Sequence, residues 1–155
     1  MIEFLKQAFD GVESEKITRP DGSILHAQVR IADSLLMIGE APPSMKPYPS
    51  VLYLYVPDCD AVYKKALAAG AQSQTEPTDM FYGDRTACVK DPGDNMWWIA
   101  THKEILSTAE IQKRATAFFS EGKTKRLAGQ IALTHIGHAG SIHTVAAMRA
   151  SGRGQ

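Results

Sequence analysis

Cysteine is nearly absent, with two residues, Cys59 and Cys88, in a chain of 155. That excludes a disulfide-built scaffold, and the lack of a C-x-x-C pair excludes the usual thiol redox centre. Both thiols read as small hydrophobes. Long apolar runs are missing too. Nothing approaches the ~18 residues of a spanning helix, and no basic-then-apolar leader is seen, so a cytoplasmic protein with no membrane partner is expected. Net charge is lacking as well, since 17 Lys and Arg balance 17 Asp and Glu. No general field therefore draws the chain to nucleic acid, and its basic residues are too scattered to form a binding stripe. There is no G-x-S-x-G elbow, no phosphate loop and no paired catalytic carboxylates.

What is present fits one domain with a real core: 44% hydrophobic and 22% charged residues. Residues 1–9 carry Ile2, Leu5, Phe9 and Phe4, Ala8 at spacings of three and four, which predicts a helix stopped by Asp10-Gly11. Residues 12–19 read as a polar strand ended by Pro20-Asp21-Gly22. In residues 24–32, Leu25, Ala27, Val29 and Ile31 share one face, and His26, Gln28 and Arg30 share the other. A short strand over 35–39 follows. Pro42, Pro43, Pro47 and Pro49 make 41–49 a linker.

The second half opens with an apolar strand over 51–56. Asp58 caps a helix with Ala61, Val62, Ala66 and Leu67 on one stripe, closed by Gly70. A short polar strand over 72–75 leads to a hairpin, 86–90 and 96–101, around the turn Asp91-Pro92-Gly93-Asp94. Residues 29–38 lie over 89–99 with one residue inserted, so the halves are repeats. The last stretch, 123–155, holds Lys123, Lys125, Arg126, Arg149 and Arg153 and no acid. It is an unassigned basic tail of net +5 after a body of net −5.

Two segments carry a resemblance: MIEFLKQAFDG at 1–11, and TDMFYGDR at 78–85 followed by DPGDNMWWIATHKE at 91–104. They resemble the opening helix and closing hairpin of the vicinal oxygen chelate superfamily, also called the glyoxalase/bleomycin-resistance/dioxygenase fold, and most of all its PhnB-like branch. The resemblance implies an α+β fold of two βαβββ modules forming a cupped mixed β-sheet. The first module lacks its opening strand, because the family's helix normally follows one. It covers a domain over 1–105, with half-modules 1–40 and 50–105, and more weakly a C-terminal helix over 106–122. It also implies a ligand cavity lined by the last strand of each half.

In metal-dependent relatives His, Gln or Glu on four strands hold the ion. Those positions fall here at Trp98, Met37 and Val51, with the fourth in the missing strand. None offers a hard oxygen or imidazole donor. No metal and no cofactor is therefore expected. His135, His138 and His143 in the tail are a second, non-specific metal candidate.

Period-2 alternation, anchored at the ligand position that the resemblance implies, makes the expected cavity aromatic. Tyr53, Tyr55, Met96 and Trp98 should face it, with Leu52, Leu54, Trp97 and Ile99 toward the helices. Phe81, Tyr82 and Arg85 should lie at its mouth, and His26 and Gln28 should form a polar wall. Such a cavity suits a small planar or anionic molecule. The same side chains would also simply fill a small half-barrel, and the polar strand face would equally suit solvent or a dimer partner.

Three functions remain open. The first is metal-free small-molecule binding, as in antibiotic-binding relatives. The second is a metal-dependent lyase, isomerase or dioxygenase of the glyoxalase type. The third is a dimeric structural protein with a self-filled cavity. A homodimer is expected, since a missing strand leaves an unpaired sheet edge. The apolar run at 130–134 is the expected source of a strand from the tail.

Overall fold

A computed structural model describes residues 1–46 and 48–120, and the backbone of 146–149. Its first half runs α1 (Ile2–Phe9), β1 (Val12–Thr18), β2 (Ile24–Ile31) and β3 (Ser34–Ile38). The second runs β4 (Val51–Tyr55), α2 (Cys59–Ala68), β5 (Gln72–Asp79), β6 (Asp84–Lys90) and β7 (Met96–His102). Helix α3 (Thr108–Ser120) and strand β8 (Ala146–Arg149) follow.

Two sheets form. The first is an antiparallel meander, β1-β2-β3, and the second has the order β5-β6-β7-β4-β8. Within the second, β4 is parallel to both β7 and β8, while β5-β6 and β6-β7 are antiparallel. This is the α+β architecture of repeated βαβββ modules.

One core joins the halves. It draws Phe4, Leu5, Ala8 and Phe9 from α1, Ala27, Val29 and Ile31 from β2, and Cys59, Tyr63 and Ala66 from α2. Leu54, Ala87, Val89, Trp97 and Ile99 complete it from the second sheet. Trp97 is its largest fully buried side chain. Although it belongs to the second half, its ring lies 4.7 Å from that of Phe9 and 6.5 Å from that of Phe4 in the first. Burying an indole leaves its N–H in need of an acceptor. Asp91, itself buried, provides one at 2.8 Å. The same carboxylate accepts from the Gly93 and Asn95 backbone N–H groups at 2.7 and 3.0 Å, and from the Asn95 side chain. So the turn that reverses β6 into β7 also seats the tryptophan.

Two local expectations are corrected. Leu25 is 52% exposed and Ile24 packs toward the core instead. The register explains it: Ile17 pairs with His26 and Thr18 with Ile24, so Leu25 is an extra residue in a bulge that reverses the alternation. Strand β5 continues through Pro77 to Asp79 instead of ending at 75. It tolerates proline because it is an edge strand, irregular between Thr75 and Thr78.

A strand from the tail was expected at 130–134, packing on this chain's sheet or a partner's. The one described is Ala146–Arg149, and it sits on the second sheet, pairing Leu52 with Ala146 through Tyr55 with Arg149. There it covers the outer edge of β4, which would otherwise present unpaired backbone groups. Residues 130–134, and His135, His138 and His143, lie outside the described residues.

Replacing Asp91 with Ala should lower stability by about 2–4 kcal/mol, because it removes a charge-assisted turn and orphans the buried indole N–H. The urea midpoint measures it; an unchanged midpoint would mean that the turn does not hold Trp97.

Candidate functional site

Burial of Trp97 and Ile99 against the helices decides the other face of β7. Met96, Trp98, Ala100 and His102 must point away from the core. Neighbouring strands follow in register. Trp98 pairs with Tyr53 on one side and Cys88 on the other; Ala100 pairs with Tyr55 and Thr86; His102 pairs with Asp84. Tyr53, Tyr55, Trp98, Ala100, His102, Asp84, Thr86 and Cys88 thus share one face, opposite α1 and α2.

The polar end of that face is tightly organised. Asp84 is only 3% exposed, whereas His102 is 57% exposed in its side chain. His102 Nδ1 meets Asp84 Oδ1 in a short contact. Tyr55 Oη donates to the other oxygen, Oδ2, at 3.0 Å. To do so its side chain crosses β7 over Ala100, where a larger residue would stand in the way. The rings of Tyr55 and His102 are edge-to-face at 5.6 Å, and Tyr53 lies 5.2 Å from Tyr55.

Gly83 puts Asp84 in place. Its φ of 95° is left-handed, and a Cβ there would come within 2.7 Å of the Glu104 carbonyl. Its own carbonyl accepts from Lys103 and Glu104 N–H at 2.9 and 3.0 Å, pinning the start of β6 to the end of β7.

The apolar end is dry. Thr86, Cys88 and Ala100 are buried beneath the aromatic side chains although they lie outside the helix-side core. Among the described residues Thr86 Oγ1 has no partner within hydrogen-bond geometry, although the Tyr82 hydroxyl is close enough to interact with it. Burial, then the neighbouring Tyr82, drives the Tyr53 phenol far above its ordinary range. Burial, then the Asp84 bond, raises Tyr55, and burial raises Tyr82. Burial likewise pushes the Cys88 thiol up to about 12. These phenols therefore remain hydrogen-bond donors at neutral pH.

The remaining expected residues lie elsewhere. Arg85 is not at the mouth of the aromatic face. Since Asp84 and Thr86 point to that face, Arg85 must point to the helices, where it binds Asp60 of α2 at 2.5 and 2.9 Å and Asp79 at 3.0 Å. Phe81 stacks edge-on against Tyr82 at 5.2 Å and touches Phe118 of α3 at 5.3 Å, so it ties that helix to the loop. His26 and Gln28 sit on the first sheet, where their side chains meet each other at 3.3 Å. A cleft of about 740 Å³ opens away from the tyrosines, beside the outer edge of β3, lined by Ile2, Leu36, Ile38, Tyr48, Leu52 and Trp97.

Asp84 and His102 went unnoticed in the sequence. Counting outward in twos from the turn, Lys90 with Met96, then 88 with 98 and 86 with 100, brings 84 opposite 102. That hairpin arithmetic was the available signal.

The family model for the glyoxalase/bleomycin resistance protein/dioxygenase superfamily matches residues 1–99. The chain belongs to this superfamily. An uncharacterized protein of Mycobacterium bovis is 33% identical over 122 residues, spanning 72% of this chain and 80% of that one. An uncharacterized protein of Mycobacterium tuberculosis matches at the same identity over 72% of its length. Among solved structures, TioX from Micromonospora sp. ML1 is 20% identical with a TM-score of 0.55, over 65% of this chain and 86% of its own. A gene product from Arabidopsis thaliana is 24% identical with a TM-score of 0.53, over 64% and 84%. At these identities the two structures speak for the fold alone.

The superfamily's metal does not fit the donors present. Met37 is 66% exposed on β3. Val51 and Trp98 carry no hard donor, and no three His, Cys, Asp or Glu side chains cluster among the described residues. No described helix is long and apolar enough to cross a membrane.

The buried phenols and thiol make a pH prediction. Each keeps its proton in the folded chain at a pH where the unfolded chain releases it. Stability should therefore fall as pH rises above the ordinary cysteine and tyrosine values of ~8.5 and ~10. Tyrosinate absorbance at about pH 11 should report fewer than the five tyrosines present, and the remainder should appear when denaturant is added. Full ionisation without unfolding would contradict the burial of Tyr53.

Proposed function

We propose that this superfamily member binds a small planar organic molecule, without a metal, against the aromatic face of β4, β7 and β6. The observation that supports it is a buried Asp84 carboxylate holding an exposed His102 beside Tyr53, Tyr55 and Trp98. Apolar rings supply flat contact area, and a few convergent polar groups orient a ligand. The ligand read from the sequence was planar or anionic. With Arg85 paired to Asp60 and Asp79, the anionic half of that expectation loses its guanidinium, and the planar half remains.

A metal-dependent lyase, isomerase or dioxygenase reading finds no donor set to rest on among the described residues. The dimer is retained as part of the proposal. Strand β3 has no described partner along its outer edge, and the 740 Å³ cleft runs beside it. A second copy would cover both.

Fluorescence tests the binding. Of the two tryptophans, Trp97 is fully buried and Trp98 only partly buried. Neutral bicyclic aromatics such as quinoline should quench saturably, and Trp98→Phe should remove the saturable part. Tyr53→Ala should weaken binding about tenfold, in line with the loss of one aromatic contact surface. A panel that never quenches saturably refutes the reading. Light scattering at micromolar concentration should return twice the chain mass, and a monomer there would remove the dimer from the proposal.

A further inference from the structure

The chemistry of the polar end goes beyond shape. With Tyr55 donating to Oδ2, Asp84 offers Oδ1 to His102 Nδ1, a contact that suits the tautomer with the proton on Nδ1. Nε2 then presents a lone pair. No described residue bonds to it, and the side chain is 57% exposed beside the Tyr55 ring. Tyr55 Oη occupies the second carboxylate oxygen, which leaves Asp84 committed to the histidine. A base within reach of a substrate, oriented by a third group, is the geometry of proton transfer.

The surroundings select what arrives. Among the described residues Arg85 is already paired with Asp60 and Asp79 on the helix side, and Glu104 with Arg114 of α3 at 3.0 Å. Lys103 is exposed beside His102. From β6 the dyad is faced by Asp84, from β4 by Tyr55, and from the loop before β6 by Tyr82. A permanent anion would meet the Asp84 carboxylate with no guanidinium to offset it. A neutral ring that surrenders a proton on arrival meets no such opposition, because the imidazolium it creates is balanced by Asp84 on one side and the new oxyanion on the other.

Building on the small-molecule reading above, we propose that His102, positioned by Asp84 and Tyr55, is a proton acceptor for a planar phenol or enol. On binding, the ligand O–H bond breaks, the proton joins His102 Nε2, and the electron pair stays on the ligand oxygen as phenolate or enolate. Nothing else is consumed. Such a site makes the bound molecule more nucleophilic than it is in water.

The test uses 4-nitrophenol, whose phenolate absorbs far to the red of the phenol, and 4-nitroanisole, its methyl ether with no proton to give. Both are added to the full chain at a pH below the phenol's own pKa. Bound 4-nitrophenol should show the phenolate band and bind at least tenfold tighter than 4-nitroanisole. His102→Ala should bind both probes equally and without the band. Asp84→Asn, which leaves the ring but not its orientation, should cut the bound phenolate fraction at least threefold. The inference is overturned if the wild-type chain binds 4-nitrophenol in its neutral form, if the band survives in His102→Ala, or if the two probes bind alike. In that last case the general binding reading still stands; if neither probe nor any quinoline-sized aromatic binds, both fall.

Discussion

The seating of Trp97 is the constraint on which the other features depend. Its indole is packed by Phe4 and Phe9 from the opposite half of the chain and hydrogen-bonded by Asp91 from its own turn. Those contacts leave one choice of face for β7. A strand cannot slip by one residue without turning every side chain over, and slipping here would move an indole out of the core and its N–H away from the carboxylate. A single well-buried side chain therefore dictates which residues of β7, and through pairing of β4 and β6, meet a ligand.

That dictated face is unequal along its length. Near the turn Trp98 and Tyr53 cover Cys88 and Thr86, and the surface is closed by its own aromatics. At the far end the strands finish, Gly83 ties β6 to β7, and Asp84 reaches His102 with solvent beyond it. A buried carboxylate is costly unless its oxygens are satisfied. Here one is taken by an imidazole and the other by a phenol. The arrangement is better suited to orienting the imidazole than to holding the sheet together, since the sheet has ladder bonds throughout and gains little from a contact at its rim.

The two ends of the second sheet differ from those of the first. Strand β8 closes the outer edge of β4, while the outer edge of β3 has no described partner. The cleft beside β3 is lined by Ile2, Leu52 and Trp97, on the helix side of the molecule, and does not open the aromatic face. This separates the assembly question from the binding question physically.

Much was legible from the chain alone. Period-2 alternation around the DPGDN turn assigned Tyr53, Tyr55 and Trp98 to one face and Leu54, Trp97 and Ile99 to the other, because apolar patterning and turn residues are local signals. The helix over residues 2–9, the cap at Asp58 and the repeat were legible for the same reason. Three features were not. Arg85 was taken for a ligand group, since a strand residue's partner on a helix 25 positions earlier is invisible until the two pack. Leu25 was assigned inward, since a bulge is set by the partner strand and not by the strand that carries it. The union of Asp84, His102 and Tyr55 needed three strands in register, with Ala100 small enough to let a tyrosine cross. Sequence determined the faces, because alternation is built into each strand; only tertiary structure decided which charges were already paired and which base stood free, because that depends on distances between elements far apart in the chain.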